Sequence, residues 1–190
     1  MIRALAISLS LGLLLAACAT SSEFSAIDSC LDGGNAWNYR SGKCEAPDPG
    51  PVDLIRVDKS AHTMTVFRQG KAVRDFRVAI GRGDPGQKQQ QGDGRVPEGR
   101  YRITAHNPNS AYHLSLRIGY PTAEQVAEAA GRGVDPGGDI MIHGLPNDRD
   151  WIGSRHTKVD WTAGCVAVTN REMDWLYKAV ADGTPVEITA

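Results

Sequence analysis

His143 ends a short apolar run, Ile140-Met141-Ile142, and Cys165, preceded by Gly164, opens another, Val166-Ala167-Val168. A thiol is a modest nucleophile while protonated and a strong one as thiolate, so a reactive cysteine needs a base or a positive charge beside it. An imidazole titrates near neutrality and suits that task. The pair therefore points to covalent catalysis, with His143 as base for Cys165. Each residue borders a β-type run, from which a rigid sheet could present both. A metal site built from His143, His156 and Cys165 is a second use of the same side chains. Its spacing fits no zinc pattern and offers no fourth ligand, so neither a metal nor a cofactor is expected.

The elements that must position this pair follow from the apolar pattern. Leu54, Ile55 and Val57 give one strand, Met64, Val66 and Phe67 a second, and Val73 to Ile80 a third. Arg68-Gln69-Gly70-Lys71 reads as the turn of a hairpin between the last two. Further strands are expected at 101–104, 115–118, 139–143, 166–168 and 186–188. Gly81-Arg82-Gly83-Asp84-Pro85-Gly86 matches a dinucleotide-binding GxGxxG string, but Pro85 interrupts it and no helix follows, so the context for that chemistry is missing. A helix capped by Thr122 should carry Val126, Ala129 and Ala130 as its apolar stripe. Thr169-Asn170-Arg171-Glu172 is a capping box that starts a second helix, with Met173, Leu176, Tyr177 and Val180 on one face. Residues 144–162 read as a long loop, a feature often used for lids and binding loops. Many short strands and few helices make a mainly β domain, a curved β-sandwich or partly closed barrel with one or two peripheral helices.

Of the 190 residues 41% are apolar, enough for a real core, and 21 basic residues balance 22 acidic ones. No basic block stands out, which argues against a nucleic-acid partner. Arg3 followed by the apolar Ala4 to Ala17 reads as a signal peptide over residues 1–17, too short to span a bilayer. Leu15-Ala16-Ala17-Cys18 resembles the lipobox of bacterial lipoproteins, which implies a lipidated Cys18 and a membrane-held protein in the cell envelope. The same resemblance implies a periplasm-facing position, with Ala19 after the cysteine associated with the outer membrane rather than the inner. In that oxidising compartment Cys30 and Cys44 are expected to pair, stapling a loop with no helical or strand periodicity. Cys165 remains as the free thiol. Residues 18–51, ending in Ala46-Pro47-Asp48-Pro49-Gly50-Pro51, then read as a small cystine-stapled module and linker, most simply a spacer, ahead of a catalytic unit at 52–190.

Residues 52–189 resemble the L,D-transpeptidase catalytic domain (YkuD type) of bacterial cell-wall enzymes. The resemblance rests on Val57-Asp58-Lys59, Gly92-Asp93-Gly94-Arg95-Val96-Pro97-Glu98-Gly99, Ile142-His143-Gly144 and Thr162-Ala163-Gly164-Cys165-Val166, in the family's order. It implies thiol acyl transfer on peptidoglycan stem peptides by a monomer. Cys165 would attack at the L-centre of diaminopimelate and expel D-alanine, with His143 as base and the Gly144 carbonyl orienting the imidazole. Amides around Gly164 and Cys165 would stabilise the oxyanion. Tyr112, His113 and Thr162 would lie along the substrate cleft. The family's arginine two positions after the cysteine is replaced by Ala167, and its basic residue before Gly164 by Ala163; Arg149 and Arg155 could supply the missing charge. Hydrolysis at the same site and a non-catalytic wall-binding lipoprotein with an inert Cys165 are the other readings.

Overall fold

The computed structural model describes residues 21–48 and 50–190. The expected cleavage after Ala17 and lipidation of Cys18 lie outside them. The described chain opens with helix α1, Ser21–Asp32, and a small antiparallel sheet of β1, Ala36–Asn38, and β2, Lys43–Glu45. Strands β3 (Leu54–Asp58), β4 (Thr63–Arg68), β5 (Lys71–Arg77), β6 (Gly99–Ser110) and β7 (His113–Ile118) follow. Helix α2 (Ala123–Gly131), β8 (Met141–His143), a 3-10 segment at Asp150–Lys158, β9 (Val166–Ala167), α3 (Asn170–Ala179) and β10 (Pro185–Thr189) complete the order.

The main sheet has eight strands in the order β5-β4-β3-β10-β6-β7-β8-β9. Its pairs are antiparallel except β3 with β10 and β8 with β9. The period-two pattern decides which side faces inward: Ile55 and Val57 of β3 and Met64 and Val66 of β4 are buried, while Arg56 points to water. Between β4 and β5 the two turn residues, Gln69 at φ 49° and Gly70 at φ 73°, are both left-handed, the tight hairpin geometry that matches the strand twist. Beyond β5 the chain returns against the far edge of the sheet. Ala79 N donates to Ala167 O at 3.1 Å and Ala167 N to Ala79 O at 2.8 Å, and Gly81 bridges Thr162. The sheet therefore curls into a half-barrel around Phe76, Ile103, Leu116, Ile142, Val166, Met173 and Leu176.

Helix α3 begins with the reciprocal capping box expected from the sequence, Thr169 with Glu172. Helix α2 is capped by Thr122 as anticipated, with Gln125 completing a capping box, but its expected stripe is mostly in solvent: Ala129 is buried while Val126 is 46% exposed and Ala130 is exposed. Small side chains bury little area, and polar ties hold the helix instead, Gln125 Nε2 to Tyr101 OH at 2.7 Å and Arg132 Nη2 to Gln89 O at 2.9 Å.

The N-terminal module has more structure than its sequence suggests, and it is not a free spacer. Phe24, Ile27, Cys30 and Leu31 form a buried face of α1, and a disulfide joins Cys30 to Cys44 of β2. Asp28 Oδ1 accepts from Ser154 N at 2.7 Å, Tyr39 OH donates to Glu172 Oε1 at 3.0 Å, and Trp175 Nε1 donates to Asp48 O at 2.9 Å. Residues 144–162 likewise are not a bare loop. Their 3-10 turns kink at Gly153, φ 55°, where Asp28 packs so closely that a Cβ would lie 2.7 Å from its carboxylate oxygens.

Candidate active site

His143 ends β8 and Cys165 stands just before β9. The two strands run parallel with His143 paired to Ala167 and Ile142 to Val166. Cys165 is two residues before Ala167, so it and His143 project from the same face as diagonal neighbours. Ser115 of β7 sits opposite His143 on the other side. Together with Tyr112, Asp139, Met141, Trp161, Thr162 and Arg82 these residues line a cleft of about 510 Å³.

The imidazole is 4% exposed and is framed by the rings of Tyr112 and Trp161, at centroid distances of 4.6 and 5.6 Å. Its Nδ1 lies 2.7 Å from Gly144 O. A carbonyl only accepts, so Nδ1 carries the proton and Nε2 is the free base. The Gly144 carbonyl belongs to the same rigid peptide unit as the Leu145 amide, and that amide donates to Asn170 Oδ1 at 2.8 Å. Gripping one end of the plane fixes the other. Gly144 is required here by space: a Cβ would lie 2.6 Å from Asn170 Oδ1 and 3.0 Å from His113 Cβ.

The cysteine is held by its backbone. Thr162 Oγ1 accepts from Gly164 N at 3.2 Å and Cys165 N at 3.0 Å, and donates to Cys165 O at 2.8 Å. A hydroxyl so used has spent both lone pairs and its proton. The two amides that the resemblance assigns to oxyanion stabilisation are thus directed at Thr162 in this structure, and Thr162 shapes the nucleophile's loop rather than offering its hydroxyl to a ligand. Gly164 has φ 126°, and a Cβ there would come within 2.8 Å of Arg95 O. The Cys165 thiol donates to Asp139 O at 3.6 Å. Asp139 is itself left-handed, φ 54°, and its carboxylate pairs with Arg117 at 2.9 Å.

Burial pushes the Cys165 thiol above its ordinary pKa, aided by the charge of Asp139 and opposed by a backbone hydrogen bond from Met141 and by Lys88. Burial also pulls His143 down, against the hydrogen bond to Gly144. Both shifts favour the uncharged forms, so at neutral pH the resting pair is thiol and imidazole, not thiolate and imidazolium. Any nucleophilic use of Cys165 would therefore have to couple deprotonation to attack. His156 does not reach the cleft; it is buried beyond Trp161, ring centroids 6.5 Å apart, and desolvation lowers its pKa to about 3.

Among the other candidates, Tyr112 lines the cleft, whereas His113 turns away to Asp174 at 2.7 Å and borders a separate groove. Arg149 and Arg155 lie outside it, beside Asp148 and Asp28, each at 3.7 Å. Neither therefore replaces the charge missing at Ala167. Arg82, Asp139, Trp161 and Asn170 were not singled out by sequence reasoning. Asn170 did stand in the capping box, yet its side chain reaches toward residue 145 rather than its own helix, a contact no local pattern encodes.

Residues 53–188 match the YkuD family, the L,D-transpeptidase catalytic domain, and the chain belongs to that family. The Escherichia coli K12 protein named "Putative L,D-transpeptidase YafK" is 27% identical over 137 residues, 69% of this chain and 48% of that protein. The chain thus spans about half the length of the curated relatives it matches. The helical cell shape determining protein Pgp2 from Campylobacter jejuni aligns with a TM-score of 0.55 and 22% identity, covering 85% of this chain and 54% of that one. The L,D-transpeptidase (residues 123–326) from Xylanimonas cellulosilytica DSM 15894 gives 0.50 and 17%, over 79% and 66%. These likenesses establish the fold, a mainly β domain built on a curled half-barrel sheet.

Two measurements probe the geometry. In the unliganded protein, iodoacetamide labelling of Cys165 should rise with pH along a curve whose midpoint lies above the usual free-thiol value of about 8.5; a plateau already reached at pH 6 would reveal an ion pair instead. Asn170→Ala leaves the Leu145 amide unpaired, at a cost of about 1–3 kcal/mol, and should let His143 exchange tautomers. Nitrogen-15 spectra of the imidazole should show a fixed Nδ1–H in the native protein and in Asn170→Asp, and a mixture in Asn170→Ala.

Proposed function

We propose that the protein is a cysteine acyltransferase of the L,D-transpeptidase type, acting on peptidoglycan stem peptides. The observation that carries this reading is the shared face of β8 and β9, with Cys165 and an Nε2-basic His143 in one cleft. In the first step the sulfur bonds to the carbonyl of the L-centre of diaminopimelate while His143 Nε2 takes the thiol proton. That proton then leaves with the amine of D-alanine as the C–N bond breaks, giving a thioester. An amine from a second stem attacks the thioester, forms the new amide and returns the proton to sulfur. Because the resting pair is neutral, a substrate that excludes water and presents its carbonyl supplies the conditions for proton transfer.

Mass analysis of muropeptides incubated with the protein tests the proposal. Dimers linked between two diaminopimelates, with release of D-alanine, are expected. Cys165→Ala should abolish them and His143→Ala should slow them by roughly 10²–10⁴, the usual weight of a general base. Trimmed monomers alone would assign the second step to water and make the protein a hydrolase. Absence of both product and thioester adduct would sink the enzyme reading and leave a wall-binding role.

The envelope placement is also proposed, on the resemblance of Leu15-Ala16-Ala17-Cys18 to a lipobox. Acyl chains contribute about 0.8 kcal/mol per buried methylene, so a multiply acylated Cys18 would anchor the protein firmly. In a bacterial host that processes lipoproteins, the full-length chain should partition into the detergent phase and Cys18→Ser into the aqueous phase. A native protein found in the aqueous phase would remove the anchor from the proposal.

A further inference from the structure

Arg82 is the one cation lining the catalytic cleft, and its side chain is exposed with no hydrogen-bond or ion-pair partner among the described residues. The other charged group at the rim, Asp139, is already matched by Arg117 at 2.9 Å. The cleft therefore presents one uncompensated positive charge.

The backbone beneath that charge is unusually constrained. Arg82 N donates to Thr162 O at 3.0 Å, and Thr162 in turn holds the Cys165 loop through its hydroxyl. The flanking glycines leave no room for side chains: a Cβ on Gly81 would lie 2.0 Å from Gly94 O, and one on Gly83 would lie 2.2 Å from Asp93 O. Residues 93–94 are fixed in their turn, since Asp93 accepts from buried Lys88 at 2.8 Å and from the amides of Gln89, Gln90 and Arg95. Gly-Arg-Gly is thus a flat strap laid over a rigid turn, with one long cation rising from it beside the nucleophile. A strap of this kind fixes the backbone position from which the side chain starts, and a guanidinium grips a carboxylate through two parallel hydrogen bonds.

We infer that Arg82 forms a carboxylate subsite of the cleft, binding the C-terminal carboxylate of the acyl-donor peptide, one residue beyond the carbonyl that Cys165 attacks. The identity of that peptide rests on the function proposed above; the anion preference does not. Both can be read separately. The first arm needs no peptide: Cys165 is alkylated with anionic iodoacetate and with neutral iodoacetamide, and the ratio of the two rates is followed by mass analysis of the Cys165 peptide. Arg82→Gln should lower the ratio several-fold, Arg82→Glu should lower it further, and Arg82→Lys should retain much of it. Arg149→Gln, outside the cleft, should leave it unchanged. A ratio indifferent to Arg82, or one that falls equally in Arg149→Gln, overturns the inference.

The second arm uses calorimetry on Cys165→Ala with a tetrapeptide stem ending in D-alanine, as free acid or as C-terminal amide. Loss of Arg82 should weaken the free acid by roughly tenfold or more, the size of a charge-assisted hydrogen bond, and barely alter the amide. Equal weakening of both peptides would overturn a carboxylate role. If neither peptide binds while the alkylation ratio still depends on Arg82, the stem-peptide reading fails and the anion subsite stands.

Discussion

One peptide unit, Gly144–Leu145, is what the site depends on. Its carbonyl sets the tautomer of His143, and its amide is gripped by Asn170. Were the plane to rotate, Nδ1 would lose its acceptor and Nε2 would cease to be reliably basic. Much of the surrounding fold can be understood as holding this plane still. Gly144 N is tied to Tyr112 O at 3.1 Å, the His143 carbonyl receives Val168 N at 3.0 Å, and Leu145 is buried. Asn170 owes its own position to the capping box beneath it, where Glu172 is fully buried and accepts from both the amide and the hydroxyl of Thr169.

The electrostatics of the cleft complement this rigidity. Desolvation disfavours charge on either member of the pair, so the thiol is stored in its protonated form rather than as a standing thiolate. That protects the sulfur from oxidants, because oxidation proceeds through the thiolate. Thr162 performs a related service for the backbone, accepting from the amides of Gly164 and Cys165.

The sequence made the architecture legible where local physics suffices. Alternation located β3 and β4, Gln69-Gly70 marked a tight turn, and Thr169 with Glu172 marked the start of α3, because each signal is carried by residues close in the chain. It failed where structure is made between distant segments. Helix α1 has Phe24, Ile27 and Leu31 at helical spacing, but the pattern is short and runs into a Gly- and Asn-rich loop, so it gains its meaning only from the surface it packs on. Arg149 and Arg155 of the long loop were the expected source of positive charge, and Arg82 stood only in the GxGxxG string. Spatially the reverse holds, since the chain after β5 crosses to the far edge of the sheet and brings Arg82 against Thr162. Asn170 was visible only as part of a helix start, and its contact with residue 145 follows from the parallel pairing of β8 and β9.

The hydrogen bond from Tyr39 to Glu172 ties the N-terminal module to the helix beneath the site. It places a lid on a carboxyl group that burial keeps from ionising readily. Loss of that contact, for instance on reduction of the disulfide, would remove a hydrogen bond that favours the carboxylate while opening Glu172 to water beneath the start of α3. A domain borrowed from this chain without residues 21–48 would therefore carry an unsealed acid under the catalytic scaffold, and would need another donor in Tyr39's place. Module and main sheet are in this sense parts of one folding unit.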